Sequence, residues 1–201
     1  QGEYYITDVI EIMLSEGEKV GAYVTDLEQT MGVNDKLQLS QVGKILNRRK
    51  VEALMLAGVT IIDPDKVQVT TNVKVGRDTV LYPGTVLEGD SVIGENCVIG
   101  SNTSLNNCKV GNNTKILETV GIDSEIGSDT NVGPFAYLRP GTKVGSEVKI
   151  GDFVEVKNST IDDGTKVAHL TYIGDADVGK RVNFGCGTVV VNYDGVNKHR
   201  T

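Results

Sequence analysis

What most limits the fold of this chain is a period of six residues. Between Val75 and Val190 an aliphatic side chain returns at about every sixth position. The run is Val75, Leu81, Leu87, Ile93, Ile99, Leu105, Val110, Ile116 and Ile122, then, after a short slip, Ile126, Val132, Leu138, Val144, Ile150, Val156, Ile161, Val167, Ile173, Val178, Phe184 and Val190. A glycine often follows directly, as in Val75-Gly76, Ile93-Gly94, Ile126-Gly127 and Ile150-Gly151. Six is neither the helical period of 3.6 nor the strand period of 2. It is the signature of a hexapeptide β-helix. Each hexapeptide supplies one short strand and a tight turn, and three make a triangular coil of about eighteen residues. The aliphatic residue points inward and stacks on its equivalents at the strand spacing of ~4.8 Å. The glycine or small polar residue beside it is expected to turn the corner, often with φ > 0. One coil cannot bury its own apolar face, so stability must come from stacked neighbours. A β-sandwich does not hold a six-residue period for this long.

Composition fits a narrow prism. Aromatic residues are 5% of the 201, Trp is absent and there are 24 glycines. The net charge of −7 argues against general nucleic-acid or anionic-membrane binding. No apolar run is long enough to span a membrane, and no signal peptide is visible. Cys97, Cys108 and Cys186 are odd in number and form no CxxC pair, so they read as reduced core or coil residues of a cytoplasmic protein. The chain starts without Met and stops while the repeat continues, with no polar capping element. A piece cut at both ends is the expectation.

Ahead of the prism the pattern is α-rich. Residues 1–17 read as a helix with Thr7 as N-cap and Val9, Ile10, Ile12 and Met13 as an apolar stripe. Residues 19–24 read as a strand. Residues 37–57 read as a second helix, with Leu39, Val42, Leu46, Val51, Leu54 and Met55 on its buried side and Gly58 at its end. The expected divisions are 1–36, 37–62 and 63–201.

Up to Val132 the repeats carry no converging chemistry. From Gly133 onward unusual residues break in. Arg139 and Lys157 stand where glycine is expected, eighteen residues apart, and so one coil apart on one edge. They are either a solvated ladder or a site where an anion, most economically a phosphate, separates two stacked cations. His169 is one of two histidines, with Tyr172, Glu155 and Lys157 nearby in sequence or on a neighbouring coil. A histidine titrates near neutrality (about 6.5) and can accept a proton there, though a lone one is often only a surface residue. Asn183 and Asn192 are turn-capping asparagines or ligand contacts. His199 reads as surface.

At these residues a resemblance enters. Gly-Pro-Phe-Ala-Tyr-Leu-Arg-Pro (133–140), Gly-Asp-Phe-Val-Glu-Val-Lys (151–157), Ala-His-Leu-Thr-Tyr-Ile-Gly-Asp (168–175), Asn-Phe-Gly-Cys-Gly-Thr (183–188) and Asn-Tyr-Asp-Gly-Val-Asn-Lys (192–198) resemble the bacterial bifunctional enzymes that make UDP-N-acetylglucosamine. In these an N-acetylglucosamine-1-phosphate uridyltransferase is fused to a glucosamine-1-phosphate N-acetyltransferase. Residues 1–8 and 32–40 resemble the end of the uridyltransferase domain.

The resemblance implies a mainly β fold: a left-handed parallel β-helix, preceded by an α-rich remnant of a nucleotidyltransferase domain (1–36) and a linker helix (37–62). It implies that His169 is the general base, that Arg139 and Lys157 hold the sugar phosphate, and that Tyr172, Asn183 and Glu155 lie at the sugar. Asn192, Tyr193, Lys198 and, through its backbone, Cys186 match acetyl-CoA contacts. Cys186 stands where the family commonly has alanine. Asn34 matches a ligand of Mg²⁺ and the uridine nucleotide. The Gly-rich nucleotide loop and the magnesium aspartate of the family are not in this sequence, so UTP and Mg²⁺ chemistry is not expected here. The family's later coils are also absent, which implies weak or no catalysis by this piece. A homotrimer is expected. The alternatives are a non-catalytic trimeric scaffold and an acyltransferase for another acceptor.

Overall fold

The computed structural model describes residues 2–3 and 5–201. The chain divides into two units, residues 1–42 and 43–201, and the division falls inside a helix. In the first unit helix α1 runs Asp8–Ser15, a 3₁₀ turn runs Leu27–Gln29, and helix α2 (Lys36–Leu56) begins. The helix expected over residues 1–17 is therefore shorter, and its positions Gln1 and Tyr4 lie outside the described residues. Thr7 is no cap: its backbone is helical and its hydroxyl makes no capping bond. Residues 19–24 form no strand, because they have no neighbouring strand to pair with. The apolar stripe of α1 is exposed, with no buried residue in that helix.

In the second unit the last turns of α2 bury Val51 and Leu54 against Val59, Ile61 and Val67 of the first coil. Leu39, Leu46 and Met55 are exposed rather than buried; within the second unit the side of α2 that faces the first coil carries Asn47, Lys50, Val51 and Leu54. Polar groups finish this cap. The Asn47 amide donates to the Val67 carbonyl and accepts from the Val69 N–H, both at 2.9 Å. Lys50 Nζ donates to the carbonyls of Thr71 (2.9 Å) and Val73 (2.6 Å). The first coil would otherwise expose an unpaired strand edge.

Beyond it, three parallel sheets of eight, seven and seven short strands form the faces of a solenoid. The first face runs from Thr60–Ile61 to Asn183–Phe184, the second from Gln68–Val69 to Tyr172–Gly174, and the third from Lys74–Val75 to Asp177–Val178. Successive strands of one face come from successive coils, so the mainly β architecture is as expected. The coil length is not a constant eighteen. Val80 pairs with Val98, but Lys115 pairs with Asn131 and Lys149 with Lys166.

Inward columns are continuous: Leu81, Ile99, Ile116, Val132, Ile150 and Val167 line the first face, nearly all with no exposed surface. On the second face Gly121, and not Ile122, occupies the inward place opposite Leu105 and Leu138. A Cβ there would meet Leu105 at 2.9 Å and Cys108 Sγ at 3.2 Å, so these side chains already fill the slot. That is the slip in the sequence period.

Gly133, after Val132, has the expected positive φ of 94°, but most glycines after the aliphatic residues serve a different end. Gly76, Gly94 and Gly127 do not have positive φ. They permit close approach: a Cβ on Gly127 would lie 2.5 Å from the backbone of Gly145 in the next coil. The left-handed corner positions fall later and, where they are not glycine, are mostly Asn or Asp, such as Asp78, Asn96, Asn113 and Asp129. Buried Thr hydroxyls brace the corners by donating to carbonyls one coil on, as Thr79 does to Gly94 and Thr130 to Gly145.

Gly151 is the tightest of these approaches, since an added Cβ would lie 1.8 Å from the Ala168 carbonyl oxygen. Gly151→Ala should cost about 1–3 kcal/mol of stability, as overpacking typically does, and lower Tm by about 2–4 °C for each kcal/mol. Gly185→Ala, with no atom within 4 Å, is the control. Equal melting curves for the two variants would remove close approach as the reason for glycine.

Candidate functional site

Within one coil the strand Lys166–His169 lies on the first face, Leu170 and Thr171 turn the corner, and Tyr172–Gly174 lies on the second face. One coil earlier Lys149–Asp152, Phe153 and Glu155–Lys157 do the same. This register sets Asp152 beside His169. His169 Nδ1 lies 2.7 Å from Asp152 Oδ1. An ionised carboxylate only accepts, so the proton of the neutral ring sits on Nδ1 and the Nε2 lone pair is left for other work. The partnership with His169, ahead of a backbone N–H, holds the Asp152 carboxyl below its ordinary range. Both side chains are open to solvent.

The second face carries the outward column Tyr137, Glu155 and Tyr172. Its strands are two or three residues long, roughly 7–10 Å. His169 stands at the entry to this face, and Arg139 and Lys157 stand at its exit. All three lie on one flank of the prism.

The charge arrangement differs from the sequence expectation. Arg139 and Lys157 are one coil apart, but neither waits unpaired for an anion. Arg139 Nη1 donates to Glu155 Oε1 at 2.7 Å. Lys157 Nζ donates to Asp175 Oδ2 at 3.0 Å. Glu155 is therefore a partner of Arg139 and not of His169. Asp175 is the hub of the group. It also accepts from Asn158 Nδ2 at 2.7 Å and Asn192 Nδ2 at 2.5 Å. Asn158, then Lys157, then Asn192 hold its carboxyl down at about 2. Asn192 Nδ2 also reaches Tyr172 Oη at 3.3 Å. Tyr172, Lys157, Asn192 and Asp175 thus form one connected cluster.

The remaining sequence candidates lie apart. Asn183 is exposed on the first face, next to Lys166 and outside the Tyr172 cluster, because its strand belongs to a different sheet. Cys186 is exposed in the loop after the last strand. Tyr193 and Lys198 bridge each other in a terminal loop, where Tyr193 Oη donates to the Gly195 carbonyl. Asn34 belongs to the first unit, and its backbone N–H donates to Gln38 Oε1 at 2.7 Å. Among the described residues no three His, Cys, Asp or Glu side chains gather as for a metal. The adjacent Asp35 carboxylate accepts from the Gln38 N–H at 2.7 Å.

Sequence reasoning missed Asp152 and Asp175. A step of eighteen from Lys157, the same step that links Arg139 to Lys157, lands on Asp175. Asp152 is seventeen residues before His169, and a fixed eighteen-residue coil hides it.

The chain is thus a solenoid of hexapeptide coils with a histidine and a polar cluster on one flank. The family model for the bacterial transferase hexapeptide (six repeats) matches residues 72–107 and 123–158. Over all 201 residues the chain is related to the bifunctional protein GlmU of Clostridium perfringens (56% identical) and of Clostridium beijerinckii (53%). It spans 44% of the length of these relatives. Solved structures with a similar trace include a UDP-N-acetylglucosamine acyltransferase of Francisella novicida. That match has 19% identity, covers 65% of this chain and 62% of that one, and has a TM-score of 0.38.

The Asp175 network sets a pH dependence. The folded carboxyl titrates at about 2 against an ordinary 3.8. Between those values the unfolded chain binds more protons, so stability rises with pH. The contribution is complete above about pH 4 and is lost as pH falls through about 2. Asp175→Asn should therefore melt earlier than the unsubstituted chain at pH 7, and the gap should close on acidification to pH 2. A gap independent of pH would exclude the charge of Asp175 as its source.

Proposed function

We propose that this chain carries an acetyltransferase site that moves the acetyl group of acetyl-CoA to the amine of glucosamine-1-phosphate. What supports this is the pair formed by His169 and Asp152 at the entry to a face that ends in Arg139 and Lys157. His169 Nε2 takes a proton from the sugar amine as the nitrogen attacks the thioester carbonyl. The C–N bond forms, the C–S bond breaks, and the thiolate leaves with a proton. Asp152 keeps the ring oriented and stabilises the imidazolium. Arg139 and Lys157 bind the phosphate, sharing their remaining N–H donors between it and Glu155 and Asp175. Tyr172 and Asn183 contact the sugar. Asn192, Tyr193, Lys198 and the backbone at Cys186 contact the acetyl-CoA.

The assembly is a homotrimer on this reading. Phe135, Phe153 and Leu170 support it. They stack along the corner next to His169, more than half exposed, and all have positive φ. The rings of Phe135 and Phe153 are stacked with centroids 5.5 Å apart. Bulky apolar residues are rare in that conformation, and an exposed column of them fits burial by a second copy. The same reading makes residues 1–36 the end of a nucleotidyltransferase domain with its UTP and Mg²⁺ chemistry elsewhere, α2 the linker, and the compartment cytoplasmic. No helix among the described residues is long and apolar enough to cross a membrane.

One observation favours a second reading. The carboxylate partners of Arg139 and Lys157 leave no net positive charge waiting for a phosphate, as an acceptor without one, or a scaffold, would have it. Acetyl-transfer kinetics separate the readings. His169→Ala should lower turnover by about 10²–10⁴-fold, the usual contribution of a general base, with the trimer mass in light scattering unchanged. Lys157→Met should raise the KM for glucosamine-1-phosphate by more than that for acetyl-CoA. Acetyl transfer that survives His169→Ala excludes this histidine as the base, and equal use of unphosphorylated acceptors excludes the phosphosugar.

A further inference from the structure

We propose that Asp175 is a positioning residue that locks the Asn192 amide with its Oδ1 facing outward, as the acceptor for an amide N–H of the thioester donor, while the same carboxylate holds Lys157 for the acceptor. This rests on the acetyltransferase reading and adds to it a residue that touches neither substrate. Asn192 has two N–H donors and one carbonyl oxygen. One N–H meets Asp175 Oδ2 at 2.5 Å, and Nδ2 also lies 3.3 Å from Tyr172 Oη. Turning the amide over would set its oxygen against a carboxylate, so the orientation is fixed by charge. The oxygen is the one polar group left over. The arm of coenzyme A carries amide N–H groups that such an oxygen accepts.

Asp175 is suited to the task. Its side chain is 13% exposed, so water competes little for its oxygens. Oδ1 is occupied by Asn158, and Oδ2 is shared by Lys157 and Asn192. The donor side and the phosphate side of the site therefore hang on one oxygen atom. A shift of Lys157 toward a bound phosphate changes the pull on Asn192, and the reverse follows by linkage.

An exchange of acid and amide tests the lock. Calorimetric titration of the chain with acetyl-CoA and, separately, with glucosamine-1-phosphate gives both dissociation constants. Asp175→Asn should weaken acetyl-CoA binding by about tenfold to a hundredfold, the equivalent of one charge-assisted hydrogen bond. It should also weaken glucosamine-1-phosphate, since Lys157 loses its anchor. Asn192→Asp sets two carboxylates together and should weaken acetyl-CoA at least as much. The double exchange Asp175→Asn/Asn192→Asp restores a donor at 175, an acceptor at 192 and an outward oxygen. It should bring acetyl-CoA binding back to within about threefold of the starting value, because the bond is re-made in reverse.

Melting curves run beside each titration. Where a single variant does not fold, the double exchange decides alone, and binding weaker than about tenfold overturns the lock. An unsubstituted chain that binds neither ligand overturns the acetyltransferase reading and this proposal with it. A chain that binds both, with Asp175→Asn leaving both constants unchanged, overturns this proposal alone.

Discussion

The structure depends on one repeated interaction, the backbone hydrogen bond from each coil to the next. Val80 N–H donates to the Cys97 carbonyl, Val98 to Thr114, Lys115 to Thr130, Asn131 to Val148, and so on along the first face. These bonds hold successive coils at ~4.8 Å. That distance leaves no room for a Cβ where chains cross most closely, so glycine follows the aliphatic residue at those points. It also turns every sequence position into a member of a column. Inside the prism the columns are Leu, Ile and Val. Outside, the columns decide which polar groups meet.

At this spacing a column of like charges would repel, and the chain answers with carboxylates from adjoining coils. Glu155 sits against Arg139, Asp175 against Lys157, and Asp152 against His169. In each pair the acid is sixteen to eighteen residues from its partner in sequence. The partnered cations need no bound ligand to be stable side by side. An arriving anion then competes with or supplements a carboxylate that is already present, which makes recognition a matter of geometry more than of net attraction. Exposed pairs such as Arg139–Glu155 contribute little to stability, and their use is to set direction.

The prism was legible because its period is long and its alternatives have a different one. Leu81, Ile99, Ile116 and Ile150 occupy the inward columns that the six-residue count assigns them. The α-rich start was less legible, since short apolar stripes like that of α1 do not say whether a partner surface exists. The candidate site was legible only in its cations and its histidine, which stand out against a polar repeat, and in motifs that resemble a known family. Its acids were not. Asp and Asn are common at the left-handed corners of this fold for backbone reasons alone, as at Asp78, Asn96 and Asp129. An aspartate with a second task is hidden among them, and a coil that varies between sixteen and twenty residues blurs the register that would expose it.

That overlap says something about how such a site can arise. Asp175 has φ of 49°, so it is a corner residue like the others. A corner Asp or Asn is favoured for its tolerance of the left-handed conformation, whatever its side chain touches. Its carboxylate points outward at no further conformational cost. Once Lys157 occupies the place one coil before and Asn192 the loop beyond, the same corner becomes a hub with three donors. The corner at Phe135, Phe153 and Leu170 is the contrasting case. There the left-handed place is filled by residues that disfavour it, so the backbone gains nothing from their identity. The backbone does not account for their presence, whereas that of Asp175 satisfies the fold and the cluster together.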